Sequence, residues 1–269
     1  MLTGSSAARL GPGPLEAALR ARRRSGRKLL VPYVTGGLGT DWLAVVEAVA
    51  FAGADAIEVG LPFSDPVMDG PVIQEASARA LAAGATPGGI VTALGGIDPG
   101  VPLVIMSYYN PIFRAGHRRF ASTLAGQGVS GAIVPDLPLD ELEEWAAAAD
   151  AAGVETILLA APTTPDDRLA AICARSRGWV YGVGRMGVTG ERATLSSSAA
   201  VMAARLKAVT DKPVLIGVGV STPAQAADVA ATADGVIVGA ALVRRLLEGA
   251  GPDGAAAFVA ELRAGLDGV

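Results

Sequence analysis

Glu58, Asp65 and Asp69 are carried by one stretch, Asp55-Ala-Ile-Glu-Val-Gly-Leu-Pro-Phe-Ser-Asp-Pro-Val-Met-Asp-Gly-Pro71. It opens as an apolar run of the kind that forms a buried parallel strand, which Glu58 interrupts, and the other two acids follow in a loop punctuated by Pro and Gly. A carboxylate on an apolar strand is costly to desolvate. Such a group belongs where the strand ends and opens into a polar cavity, with its pKa raised, and there it is suited to proton transfer. A plainer reading stays open for each acid. Glu58 could cap the solvent end of a strand, and Asp65 and Asp69 could hold the Ser-Asp-Pro and Asp-Gly-Pro bends through side-chain hydrogen bonds to the backbone.

Little else in the chain competes for the chemistry. His117 is the sole histidine and Cys173 the sole cysteine, so a His/Cys zinc site and a Ser-His-Asp triad are excluded and no metal is expected. Cys173 lies in the apolar helical pattern Leu169-Ala-Ala-Ile-Cys-Ala174 and reads as core, while His117 falls at the start of a helix. Proton chemistry is left to carboxylates, tyrosine or lysine. A net charge of −4 argues against a nucleic-acid partner. The basic run Arg20-Ala-Arg-Arg-Arg24, with Arg27 and Lys28, reads as a solvated last helical turn, where positive charge suits the dipole. No signal-peptide pattern opens the chain and no window approaches a membrane span, so a cytoplasmic location is expected.

The acids need elements to position them. Residues 1–14 are rich in Gly, Ser and Pro and are expected to lack order, and Leu15 to Arg24 then read as a short amphipathic helix. From there apolar runs of strand length recur at 29–34, 54–59, 102–107, 131–134, 154–159, 179–181, 213–216 and 235–238. Helical stretches separate them, at 41–52, 74–83, 138–152, 165–176 and 223–229, with Pro138 and Pro165 at helix openings. This alternation implies a parallel sheet, and eight strands favour a closed (β/α)8 TIM barrel, one domain over 15–269 with an extra N-terminal helix. The uncommon residues cluster in the turns after the strands, at Thr35-Gly-Gly37, Glu58-Val-Gly60, Tyr108-Tyr-Asn-Pro111, Pro135-Asp-Leu-Pro138 and Gly187-Val-Thr-Gly190. Barrel enzymes assemble their sites at that end.

The last three units supply glycine-rich turns, Gly187-Val-Thr-Gly190, Gly217-Val-Gly-Val-Ser221 and Gly239-Ala240, the last running directly into a helix. Free amide hydrogens and a helix dipole together favour an anion, so a phosphate-bearing substrate is expected there. Each turn could equally be an ordinary strand-to-helix connection that needs glycine.

Glu58-Val-Gly-Leu-Pro-Phe-Ser-Asp-Pro-Val-Met-Asp-Gly-Pro-Val-Ile-Gln74 closely resembles the signature of the tryptophan synthase α-chain family. The resemblance runs from about Leu29 to Leu247. It includes Pro32-Tyr-Val-Thr-Gly36, Tyr108-Tyr-Asn-Pro-Ile112, Val134-Pro-Asp-Leu-Pro138, Gly187-Val-Thr-Gly190 and Gly217-Val-Gly-Val-Ser221.

The resemblance implies a β/α barrel that cleaves indole-3-glycerol phosphate to indole and glyceraldehyde 3-phosphate, with no cofactor of its own. It implies a pyridoxal-phosphate β chain as partner in an α2β2 assembly. Glu58 and Asp69 match the family's two catalytic carboxylates, with Tyr181 at the indole end of the pocket and Thr189 as the lid residue. Gly190, Gly219, Gly239 and Ala240 would supply phosphate donors, Tyr33, Met106 and Val218 would line the indole pocket, and Asp65, Asn110 and Asp136 would face the β chain.

The chain departs from the family pattern in four places: the first turn, Gly36-Gly-Leu-Gly39; Ala240, where a serine is common; Gly184-Arg-Met186, which has no hydroxyl; and Glu191-Arg192-Ala193 after Gly190. Two alternatives follow within the family, a partner-activating subunit with weak cleavage of its own and a stand-alone lyase of secondary metabolism. A different phosphate-binding barrel, such as an isomerase, would not require the acid loop.

Overall fold

The computed structural model describes residues 11–184 and 192–269, the side chains of 192–197 excepted. Thr189 and Gly190 therefore lie outside the described residues. A helix α1 (Pro14–Arg24) precedes eight strands: β1 (Leu29–Thr35), β2 (Ile57–Gly60), β3 (Leu103–Met106), β4 (Val129–Ile133), β5 (Glu155–Ala160), β6 (Val180–Val183), β7 (Val214–Gly217) and β8 (Gly235–Val238). All neighbours pair in parallel, and β1 closes on β8 with Leu29 opposite Gly235 and Pro32 opposite Val238. The outer shell is α2 (Trp42–Phe51), α3 (Pro71–Ala82), α4 (Pro87–Leu94), α5 (Tyr109–Ala115), α6 (His117–Gly126), α7 (Glu143–Ala152), α8 (Asp166–Arg175), α9 (Arg192–Lys207), α10 (Pro223–Ala230), α11 (Ala240–Leu247) and α12 (Gly251–Leu266). The expected (β/α)8 barrel with an added N-terminal helix is the fold found. No described helix is long and apolar enough to cross a membrane.

Side-chain alternation along each strand makes two cores. Leu30, Val34, Ile57, Val59, Ile105, Leu158, Val180, Ile216 and Val236 point outward and bury against the helices. Leu29, Val31, Ala56, Val104, Ile133, Ile157, Trp179, Leu215 and Ile237 fill the barrel interior, and Leu15 and Leu19 of α1 join them as a plug. Glycine precedes α1 and offers no side-chain cap. Glu155, at the start of β5, takes that role: its carboxylate accepts the Leu15 and Glu16 amide hydrogens at 2.7 and 3.2 Å.

The basic run forms the last turn of α1 as expected, with Arg24 exposed, but Arg22, Arg23, Arg27 and Lys28 are only partly exposed and turn to acids and carbonyls at the strand ends. Arg22 and Arg27 each donate to Asp55 Oδ1 at 2.8 Å, and Arg263 reaches Oδ2 of the same fully buried carboxylate at 3.3 Å. Arg23 pairs with Asp234 at 3.0 Å, and the Lys28 ammonium donates to the Ala230 carbonyl at 2.5 Å. Charges from the helix end thus close the bottom of the barrel, where the incoming strand ends would otherwise leave carboxylates unpaired. Several elements also differ from the sequence expectation. α3 starts at Pro71 instead of residue 74, Pro138 opens a short 3-10 turn (Leu139–Glu141) before α7, and α4 was not foreseen in the glycine-rich segment that forms it.

Candidate functional site

β2 and the residues just before it carry two buried acids with different surroundings. Asp55 precedes the strand at the bottom, and Glu58 lies three residues on, facing inward beside Tyr33 of β1 and Val104 of β3 in the register. Period-two alternation requires this, because Ile57 and Val59 are committed to the helix layer. Glu58 is 1 % exposed, and among the described residues its Oε2 has no hydrogen-bond partner. Burial, reinforced by the negative charge of Asp69, raises its pKa to about 8. At neutral pH Glu58 is therefore mainly a neutral acid.

Asp69 comes from the loop between β2 and α3, which carries it back over the mouth. It is half-buried and its pKa is raised by burial, an effect opposed by a hydrogen bond from the Tyr108 hydroxyl. That hydroxyl also accepts the Met68 amide hydrogen at 2.9 Å, and the Tyr108 ring stacks on Phe63 with centroids 5.1 Å apart. Gln74 of α3 donates to the Asp69 carbonyl at 2.8 Å, fixing the loop's exit.

Tyr33 and Tyr181 face the same interior. Burial raises both phenol pKa values far above the ordinary range, with the charges of Glu58 and Asp69 adding to it in each case. Both rings need missing side chains beside them. A Cβ at Gly60 would collide with the Tyr33 hydroxyl, and one at Gly217 would lie 2.6 Å from the Tyr181 hydroxyl oxygen. Met106 packs between the interior core and a small cluster at the mouth formed by Tyr33, Leu38, Val72, Ile73, Ala76, Val243 and Leu247. Val218 is placed differently: it is 2 % exposed but belongs to the strand-helix layer, beside Gly184. The unusual first turn is formed with positive φ at Gly37 and Gly39 and brings Leu38 against Tyr33.

Gly219 and the Gly239-Ala240 pair follow the adjacent strands β7 and β8. Gly219 has φ of 77°, and Gly239 stands at the N-cap of α11 with no side-chain cap. The Leu242 and Val243 amides both turn to the Gly239 carbonyl, which leaves the Ala240 and Ala241 amides as the first-turn donors without an acceptor in the helix. Asp65, Asn110 and Asp136 are all exposed on loops or helix starts at the same end of the barrel. Asp65 accepts from the Ser64 hydroxyl at 2.6 Å, and Asp136 accepts the Tyr109 amide hydrogen at 2.9 Å. Val67, Met68 and Phe113 are exposed apolar residues on the β2–α3 loop and α5. His117 opens α6 as expected and hydrogen-bonds the Tyr109 hydroxyl at 2.9 Å. Among the described residues, no group of three or more His, Cys, Asp or Glu side chains is placed to hold a metal ion.

Tyr108 is the residue of this site that sequence reasoning missed. In the sequence its segment reads as a turn after a strand and as part of the family resemblance, with no role attached to the tyrosine. The one available signal was a tyrosine immediately beyond an inward-facing strand end, and it names no partner.

The chain matches the family model described as tryptophan synthase alpha chain over residues 19–264. It is 45% identical over 262 residues to the tryptophan synthase alpha chain of Thermobifida fusca, covering 94% of this chain and 97% of the relative. Identity to the Streptomyces coelicolor alpha chain is 43%, with the same coverage. Among solved structures it superposes on tryptophan synthase from Mycobacterium tuberculosis with a TM-score of 0.88 at 41% identity, covering 95% of this chain and 99% of that one. The alpha subunit from Legionella pneumophila gives a TM-score of 0.87 at 31% identity, covering 96% of this chain and 100% of the other. With the family model matched along nearly its whole length, the chain belongs to the tryptophan synthase α-chain family.

Proposed function

We propose that the chain cleaves indole-3-glycerol phosphate by a retro-aldol step in tryptophan biosynthesis, with Glu58 as the proton carrier and Asp69 as the charge stabiliser. The reading is supported above all by one observation: a buried carboxyl group, one oxygen of which has no hydrogen-bond partner among the described residues, that is mainly protonated at neutral pH and shares the barrel mouth with a second acid.

A bare indole carbanion is a poor leaving group, so C3 of the ring has to be protonated before the bond to the glycerol phosphate chain breaks. Glu58 delivers that proton and, once ionised, accepts one from the hydroxyl on the carbon that becomes the aldehyde. Positive charge develops on the ring as C3 is protonated. Asp69, in its ionised form, accepts the indole N–H and stabilises that charge in the transition state. The Tyr33 and Tyr181 rings, with Met106, enclose the flat bicyclic ring in an apolar slot, and Val218 backs the wall from the helix side. Gly219, Gly239 and Ala240 offer main-chain donors to the phosphate. Ala240 keeps the amide and gives up a hydroxyl, which costs about 1 kcal/mol of phosphate binding. Thr189 and Gly190, as lid residue and further donor, rest on the resemblance alone.

No step in this scheme calls for a cofactor in this chain. Its partner is a pyridoxal-phosphate β chain in an α2β2 assembly, docking on the rim that exposes Asp65, Asn110 and Asp136 beside the apolar Val67, Met68 and Phe113. Incubating the pure chain with indole-3-glycerol phosphate, alone and then with a β chain, tests both claims. Indole release that rises on adding the β chain is expected; no indole under either condition overturns the assignment.

A further inference from the structure

Among the described residues two side chains from outside the acid loop hold it: Gln74 of α3 takes the Asp69 carbonyl at its exit, and Tyr108 takes the Met68 amide on the side of the mouth. The loop's flanks are exposed: Val67 is 82% and Met68 58% accessible, so apolar burial does not fix Asp69 in place. What the loop meets is Tyr108, at the end of β3 and itself 5% exposed. The Tyr108 hydroxyl accepts the Met68 amide hydrogen at 2.9 Å. A phenol has one proton to give and its lone pairs to receive. With a lone pair taken by Met68, the hydroxyl proton is available to the carboxylate of the next residue, Asp69, whose ionised form it favours. The ring is fixed in turn by Phe63, stacked at 5.1 Å and 26° from an earlier part of the same loop. The backbone that carries it is anchored where the Tyr109 amide donates to Asp136 at 2.9 Å.

We propose that Tyr108 is the positioning residue of the acid loop: its hydroxyl, holding the Met68 amide, sets the carboxylate of the next residue, Asp69, in the mouth with an oxygen free for the substrate's ring N–H. The proposal rests on the function assigned above and goes beyond it, because it makes a residue that need not touch substrate responsible for the charge state and direction of one that does. The titratable groups facing Asp69 are Glu58 on β2, Tyr33 on β1, Tyr181 on β6 and Tyr108 itself. Of these, Tyr108 is the group whose hydroxyl favours the ionised form of Asp69, against the burial that disfavours it.

Tyr108→Phe tests this, since it keeps the ring and its stack on Phe63 while removing the hydroxyl. Indole release by the pure chain, or by its complex with a β chain, is followed from pH 5 to 9. The expected result is a fall in kcat of roughly tenfold or more with little change in KM, because charge stabilisation in the transition state is lost while the pocket is kept. The acid limb of the pH profile is expected to move to higher pH, and the alkaline limb, which belongs to Glu58, to stay in place. A wild-type kcat, or a reduced kcat with an unmoved acid limb, overturns the proposal. Limited proteolysis of the loop at residues 64–70 in the substrate-free protein reads the tether without any turnover. Faster cutting in Tyr108→Phe supports it, and equal cutting overturns it even if the wild-type chain releases no indole, an outcome that would separately overturn the assigned function.

Discussion

Asp55 and Glu58 are three residues apart in the sequence, buried at 0% and 1% exposure, and treated in opposite ways by the rest of the molecule. Asp55 has Arg22, Arg27 and Arg263 around it and also accepts the Leu30 amide hydrogen at 2.8 Å. Glu58 has no cation near it among the described residues; burial and Asp69 act on it instead. The bottom of the barrel uses its acids to tie helix ends to strand ends, so each charge is neutralised and static. The mouth withholds neutralisation, so a carboxyl group there keeps its proton at neutral pH and can give it away. Burial is common to both acids. Partnering is what separates structure from chemistry.

If this contrast is right, the two acids should fail in different ways. The largest effect is expected for Glu58→Gln, which keeps the shape and removes the transferable proton. Indole release should fall by roughly a thousandfold or more, in steady-state assays, while thermal unfolding shows a protein at least as stable as the wild type. Near-normal turnover would remove Glu58 from the mechanism. Asp55→Ala should act on the other side of the comparison. It leaves the buried Arg263 and the part-buried Arg22 and Arg27 without their shared anion and is expected to cost about 3 kcal/mol in denaturant unfolding. At temperatures where the variant is still folded, its kcat should remain close to that of the wild type.

A smaller effect sharpens the contrast through pH. The carboxyl group of Glu58 has its pKa raised on folding, from 4.5 to about 8. Between those values the folded chain binds the proton more tightly than the unfolded chain, so stability falls as pH rises through the interval. Measured against Glu58→Gln, which lacks the titration, the wild type should lose about 3 kcal/mol between pH 5 and pH 8. A difference independent of pH would mean that Glu58 is already ionised in the fold.

Much of this could be read from the sequence because it is written in local pattern. The eight strands announce themselves as apolar runs, and a glutamate inside one of them is conspicuous at once. What escaped was set by contacts distant in the chain. Tyr108 meets Met68 across 40 positions, and the arginines at and just after the end of α1 find Asp55 and Asp234 across 28 to 211. A run of arginines looks solvated until the fold folds acids under it. Val218 shows a subtler gap: its segment lies at the mouth, yet which face of the wall it occupies depends on the strand's alternation at its very end, where Gly217 carries the inward position beside Tyr181. The α4 helix was hidden for a different reason, since the Pro87-Gly-Gly89 start has poor helix propensity and is held by the Thr86 cap and by burying Ile90, Val91 and Leu94.

The most direct test of the central claim is a titration of the Glu58 carboxyl group itself, by carbon-detected NMR or difference infrared spectroscopy of the substrate-free chain, with Glu58→Gln identifying the signal. The account predicts a midpoint near 8, with the protonated form dominant at pH 6. A carboxyl group already ionised at pH 5 would contradict it.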